Sequence, residues 1–408
     1  MSREKSRDGI TRRDFLRRAA ASAALGVGAA SGLAARVGRA SAAEAEERAG
    51  TASGAEVEEK NGMKYRVLGR TELKVSELGL GLIQTNNPAV IHRALDLGVN
   101  YFDTAECYQG GNSEIKLGEA LKERREEAIV ATKWHTNGST PAADLLKSLD
   151  GSLQRLKMDH VELIQIHGAE NAAQVESDEL WEAFGKARDA GKVRFNGLST
   201  HGNQVEVIRA AIECGRYDAV LPSYNALIGE RVGPAVREAH EAGLGTIIMK
   251  ALQPAHEGKG TAAFEKLGGS PYQQAIRWVL NDPNVSTAIV DMPTFEEVEE
   301  DVAAATGRTS ETELAEFEGA VSQVSAGACH LCGSCTGQCP RNVRVADIMR
   351  YSLYHDGYGD GARAAELYRA LPVAASAAAC RDCSQCRVVC PWGVAVRSRM
   401  ERAHVRLA

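Results

Sequence analysis

Two sets of residues in this 408-residue chain have types and spacing that do chemistry. The first begins in NYFDTAECYQGGNSE, Asn100 to Glu114, where Asp103 ends a short apolar run and Tyr108 follows five residues later in a Gly-rich loop. The next two apolar runs, AIVATKW and VELIQIHG, carry Lys133 and His167 at their ends. An acid, a phenol, an ammonium and an imidazole at successive strand ends suit hydride transfer to or from a carbonyl. A phenol with an ordinary pKa of about 10 is a poor acid at neutral pH and needs help to protonate a developing alkoxide. A buried Lys133 ammonium is expected to favour the phenolate and lower that pKa, with Asp103 holding the ammonium charged. His167 is placed to hydrogen-bond the substrate oxygen.

The second set is cysteine. Eight of the ten fall in two quartets, Cys329, Cys332, Cys335 and Cys339 before Pro340, and Cys380, Cys383, Cys386 and Cys390 before Pro391. Both read CxxCxxCxxxCP. Two-residue gaps let three thiolates wrap one corner of an iron-sulfur cubane while the fourth, past a longer gap, points elsewhere; structural zinc needs only paired CxxC units. The runs resemble two-cluster bacterial ferredoxins. That resemblance implies two [4Fe-4S] clusters, with Cys339 completing the cluster of the second triplet and Cys390 that of the first. Cys107 and Cys214 read as ordinary pocket or core thiols, and His135 and His201 as structural or solvent-facing residues flanking the same strand ends.

Elements must bring these groups together. From Leu78 onward, strands and helices alternate in eight units over about 230 residues, the pattern of an α/β fold of the (β/α)8 TIM barrel type. No GxGxxG follows the first strand, which argues against a doubly wound sheet. Active sites on such barrels sit at the C-terminal ends of the strands, where Asp103, Lys133 and His167 fall. A strand pair, KYRVLG and LKVSEL, precedes the barrel, and residues 43–62 read as a solvated linker. The composition changes after residue 325. Residues 328–408 hold eleven Arg, no Lys and six acidic residues, with helical patterns at Val345, Ile348, Met349 and Ser352 and at Ala364, Leu367, Tyr368 and Leu371. The expected organisation is a barrel over 63–325 and a small, mainly α-helical ferredoxin-like iron-sulfur domain over 326–408.

Residues 1–42 contain Thr11-Arg12-Arg13-Asp14-Phe15-Leu16-Arg17, an Ala-rich apolar stretch and Ala40-Ser41-Ala42. This resembles a twin-arginine export signal, which implies passage through the twin-arginine machinery after folding and a location in the periplasm or outside the cell. Without the net +6 of that segment, the −6 of the whole becomes −12, which argues against nucleic acid as a partner. No uninterrupted apolar run of membrane-spanning length follows it, so an integral membrane protein is not expected.

With YRVLGRTELKVSELGLG, FDTAECY and GGNSE, ATKW, LIQIHG, RFNGLST and SYNAL on the page, residues 64–305 resemble the aldo-keto reductases. The resemblance implies that Asp103, Tyr108, Lys133 and His167 form a catalytic tetrad and that NADP or NAD lies extended across the barrel mouth. It implies that Ser199 meets the nicotinamide carboxamide, that Tyr224 and Asn225 lie near the mouth, and that Thr294 falls in the phosphate-side segment. The chain departs from the family at Leu221, where a Gln is common, and at Asp291, Glu297 and Glu299, which are acidic where phosphates would sit. The expected function is reduction of a small carbonyl or oxidation of an alcohol, with the clusters relaying electrons and a redox partner protein as a candidate source or acceptor. The alternative is a non-catalytic barrel that docks an iron-sulfur electron-transfer domain.

Overall fold

The computed structural model describes residues 59–307, 309–383 and 386–408. The expected export signal and most of the expected linker lie outside them. The chain opens on a three-stranded antiparallel sheet of β1 (Glu59–Lys60), β2 (Met63–Val67) and β3 (Lys74–Ser76). The linker expectation is therefore corrected at its end. Asn61 and Gly62, both at positive φ, form the two-residue turn between β1 and β2, and Asn-Gly is the residue pair that such hairpins favour. The hairpin plugs the floor of the barrel, where Leu68, Leu73 and Val75 join the interior side chains Tyr101, Ala131, Leu163, Leu221 and Ile247.

Eight parallel strands close the barrel: β4 (Leu78–Gly81), β5 (Tyr101–Asp103), β6 (Ile129–Trp134), β7 (Val161–Ile166), β8 (Val193–Thr200), β9 (Ala219–Pro222), β10 (Gly245–Ile248) and β11 (Thr287–Asp291), with β11 paired back to β4. Every residue of β7 is buried, as expected for a strand covered on both faces. The surrounding helices are α1 (Pro88–Asp96), α2 (Asn112–Leu121), α3 (Ala142–Leu156), the short α4 (Ala172–Val175), α5 (Asp178–Asp189), α6 (Gln204–Cys214), α7 (Gly229–Glu241), the short α8 (Gln253–Gly258) and α9 (Ala262–Glu265), α10 (Pro271–Leu280), α11 (Phe295–Thr306) and α12 (Glu311–Ser325). Their starts are written in the sequence. Asn87 accepts from Ala89 N ahead of Pro88, Ser270 accepts from Gln273 N ahead of Pro271, and Ser310 and Glu313 form a capping box. Helix α7 starts five residues before Pro234. The proline sits in the second turn and removes one intrahelical bond there.

Three further helices, α13 (Val345–Asp356), α14 (Gly361–Arg369) and α15 (Val396–Leu407), enclose a separate small core that includes Ile348, Tyr351, Ala364, Met400 and Leu407. This domain lies against the C-terminal ends of the barrel strands. Gln253 Nε2 donates to Cys329 O at 2.6 Å, Gln84 Nε2 donates to Tyr358 O at 3.1 Å, and Arg399 pairs with Glu257 at 3.6 Å. Among the described residues no helix is long and apolar enough to cross a membrane.

Candidate active site and cysteine clusters

Strand register assembles the catalytic group. Asp103 pairs with Ala131 across β5 and β6, and Lys133 pairs with Gln165 across β6 and β7, so three polar residues point inward on adjacent strands at one height. Lys133 is 1% exposed and donates to Asp103 and, at 2.7 Å, to Thr104 O. The second Asp103 oxygen accepts from Gln165 Nε2 at 2.9 Å. This buried ion pair is satisfied on both sides, which is the condition for tolerating it. Gln165 is a positioning residue that the sequence reading missed. It lies two residues before His167, and the two-residue strand period puts it on the inward face with Lys133 as its neighbour.

Tyr108 follows in a turn where Gln109, Gly110 and Gly111 all have positive φ, and Gln109 Nε2 ties that turn to Ile83 O and Thr85 O at 3.3 Å each. The Lys133 ammonium lies 4.7 Å from the centre of the Tyr108 ring, and the His167 ring meets it edge-on at 5.6 Å. All four expected catalytic residues are thus brought together. The expected direction of the Tyr108 pKa is corrected: burial and the Asp103 carboxylate hold the phenol well above its ordinary value. Asp103 neutralises the nearby ammonium, leaving desolvation to dominate. Tyr108 is consequently a protonated donor at neutral pH. Burial, with help from Lys133 and His135, holds His167 well below the ordinary imidazole value, so its ring is neutral.

Asp103, Tyr108 and His167 line a cavity of about 630 Å³, with Lys133 behind them. One wall comes from the barrel, through Leu221, Met249, Lys250 and Ile289, and the other from the C-terminal domain, through Arg350, Tyr354, Tyr358 and Arg363. Lys250 Nζ lies 4.9 Å from the Tyr354 ring centre and 5.5 Å from that of Tyr358, cation against aromatic face. Its backbone is left-handed at φ 62°, and burial together with the Arg350 cation brings its ammonium down to about 7. A non-glycine residue in that conformation marks strain that the surroundings must hold in place.

The residues expected to meet a nucleotide make hydrogen bonds within the barrel. Ser199 Oγ donates to Ile166 O at 3.1 Å and accepts from Gly168 N at 2.9 Å. Tyr224 donates to Asp282 at 2.8 Å and packs on Trp278, while Asn225 donates to Lys250 O at 3.0 Å and acts on the cavity only through that backbone. Thr294 caps α11 through Glu297 N. None of these four lines the cavity. Leu221 belongs to the barrel interior, and Glu299 pairs with Arg93 on the surface at 2.8 Å. Asp291 is drawn inward to accept from Gln84 N, Thr85 N and Thr85 Oγ1, and burial raises its carboxyl to about 7. Ser199 and Asn225 stand directly behind the cavity lining, through Gly168 and Lys250.

The cysteines gather in two places. Cys329, Cys332, Cys335 and Cys390 line a cavity of about 360 Å³, and Cys380, Cys383 and Cys386 line a second hollow, with Cys339 bordering both. Cys390 thus stands with the first triplet; burial, with smaller contributions from Cys332 and Cys390, raises the Cys335 thiol, and burial followed by Cys339 raises the Cys380 thiol of the second. Gly168, Glu170, His201 and Arg350 line both the first cysteine cavity and the barrel cavity, so the two are separated by one layer of residues. His330, beside Cys329, stacks on Trp392 at 3.9 Å and closes the outer side.

Comparison with known proteins agrees with this geometry. A family model described as "Aldo/keto reductase family" matches residues 78–262. The chain is 26% identical over 287 residues to the uncharacterized oxidoreductase YqkF of Bacillus subtilis, covering 60% of this chain and 92% of that protein. It is 28% identical over 284 residues to L-galactose dehydrogenase of Arabidopsis thaliana, covering 60% and 88% respectively. Aldo-keto reductase AKR11C1 of Bacillus halodurans has the same fold, with a TM-score of 0.55 at 24% identity over 63% of this chain and 96% of that one. With its eight-stranded closure and the Asp103, Tyr108, Lys133 and His167 constellation, the barrel of this chain is similar to the aldo/keto reductase family over residues 78–262.

Proposed function

We propose that the protein is an exported oxidoreductase that reduces a small carbonyl compound in the cavity between its two domains, with Tyr108 as the proton donor. The convergence of Asp103, Lys133, Tyr108 and His167 on that cavity carries this reading. Burial keeps Tyr108 protonated, so its hydroxyl is ready to give a proton to the oxygen as charge develops there. Neutral His167 orients that oxygen, and the Lys133 and Asp103 pair fixes the ring beneath it. Ser199, Tyr224, Asn225 and Thr294 do not themselves line that cavity, so the proton-donor role of Tyr108 is argued without a nucleotide contact.

The cysteine quartets fit two [4Fe-4S] clusters. In each, three thiolates of one run stand with the fourth of the other, and Gly333 and Gly337 give the first loop the positive φ that a tight wrap needs. Bound there, such clusters supply electrons singly. Reduction of a carbonyl to an alcohol takes two electrons and two protons, so two clusters suffice for one turnover, with Tyr108 and solvent each providing a proton. Single-electron delivery selects a carbonyl conjugated to an aromatic or unsaturated system, and the wall of Tyr272, Tyr354, Tyr358 and Met249 suits a flat molecule of that kind. Export by the twin-arginine pathway belongs to the same reading, since that route carries proteins already folded around their cofactors. Anaerobic purification followed by iron and sulfide analysis tests it. We expect about eight of each per chain, as two cubanes require; zinc in both quartets, or no inorganic sulfide, would sink the electron-transfer half.

A further inference from the structure

Beside Tyr108 stands a group of side chains that the reaction above does not fully use. The Sγ of Cys107 and one ring nitrogen each of His135 and His167 lie within 4.8 Å of one another, with Cys107 Sγ 3.8 Å from His167 Nδ1. Tetrahedral zinc, with bonds of about 2.3 Å to sulfur and about 2.0–2.1 Å to nitrogen, separates its donors by roughly 3.3–3.6 Å. The set therefore needs to close by about an ångström to grip an ion of that size. His135 is exposed and has the freedom to move.

Three barrel elements hold these donors. His135 and His167 are the first residues after β6 and β7, whose last residues Trp134 and Ile166 are register partners, and His167 N donates to Trp134 O at 2.8 Å. Register therefore sets the two imidazoles side by side, with ring centres 4.4 Å apart. Cys107 arrives from the loop after β5, immediately before Tyr108. One soft thiolate with two imidazoles and no carboxylate selects zinc and related transition ions over magnesium or calcium, which take oxygen ligands. All three residues line the 630 Å³ cavity, so a fourth position would face the space that Tyr108 also faces.

We propose that Cys107, His135 and His167 form a three-ligand site for one zinc-type divalent ion at the barrel mouth, separate from the cysteine quartets. Three protein ligands with one open position is the arrangement of catalytic rather than structural zinc. An oxygen bound there would be polarised by the ion and lie beside the phenol that protonates it. That role on the substrate rests on the reduction reading above, whereas binding of the ion does not.

The test uses the full chain, purified anaerobically with its iron, equilibrated with zinc and then dialysed. Metal analysis is expected to give one zinc per chain in addition to iron. X-ray absorption at the zinc edge is expected to show one sulfur, with nitrogen or oxygen completing the shell. Cys107→Ser and His135→Ala are each expected to weaken zinc retention in chelator competition by about 100-fold or more, with iron content and circular dichroism unchanged. The proposal is overturned if the chain retains no zinc, if both variants retain it as the parent does, or if the shell holds four sulfurs, which would put the ion in a quartet. Zinc in the expected shell on a chain that reduces no carbonyl would leave this site standing and remove the reduction reading instead.

Discussion

At the scale of residues, the site is governed by one buried ion pair and its consequence for a phenol. Lys133 and Asp103 are each 1% exposed; Lys133 also donates to Thr104 O, and the second Asp103 oxygen accepts from Gln165 Nε2. Removing one partner leaves an uncompensated buried charge. Lys133→Met is expected to cost about 3–5 kcal/mol of stability, and adding Asp103→Asn should restore most of it; denaturant unfolding of the single and double variants checks this, and equal loss in both would deny the coupling. The tetrad was legible in the sequence because each member ends or follows an apolar run that must be a strand. The direction of the Tyr108 pKa was not. It depends on how far Asp103 cancels Lys133 and on how much water the second domain excludes, and neither is written in local spacing. Gln165 was readable in principle, since strand alternation puts it on the inward face, but a glutamine inside an apolar run carries no chemical signature until its partner is known.

At the scale of elements, the barrel follows from alternation and caps, and its floor from a hairpin. Gly69, at φ 52°, lies so close to β10 that a Cβ there would stand 2.2 Å from Gly245 N. Gly69→Ala combines a clash against backbone with an unfavourable φ, and is expected to destabilise by about 3 kcal/mol. Because the hairpin is at the opposite end from the mouth, iron content should be unchanged. A thermal or denaturant midpoint equal to that of the parent would show that the hairpin yields without cost. The sequence revealed the strands because they are uniformly apolar, and most helices because a cap or an amphipathic stripe marks them. It concealed the β1 to β2 turn, where Asn61-Gly62 stood in a segment with almost no apolar side chain. It also concealed α15, whose Val396, Met400, Ala403 and Leu407 stripe is matched in number by arginine. Both are short and polar in composition, so local pattern is a weak guide to them.

At the scale of the whole molecule, the C-terminal domain is part of the active site as well as an appendage beside it. Tyr354, Tyr358, Arg350 and Arg363 complete the cavity that holds Tyr108. The segment that carries them lies between the two cysteine quartets, where the sequence showed two helical patterns and no reason for them. Their purpose is visible only once the domain is seated on the strand ends through Gln253, Gln84 and Glu257. The same docking puts the first cysteine cavity behind His201 and Arg350, which line the barrel cavity as well; on the function proposed above, that is the route by which electrons would enter. The central claim, that electrons held by the C-terminal domain reduce a carbonyl protonated by Tyr108, is tested by single-turnover reoxidation. The anaerobically reduced chain, free of nucleotide, is mixed with a panel of aryl ketones and conjugated aldehydes while the reduced-cluster signal is followed by electron paramagnetic resonance. We expect at least one compound to discharge the signal with formation of its alcohol, and Tyr108→Phe to slow that step by about 100-fold or more without altering the signal before mixing. Discharge at the same rate in Tyr108→Phe, or no alcohol from any compound unless NADPH or NADH is added, would contradict the account.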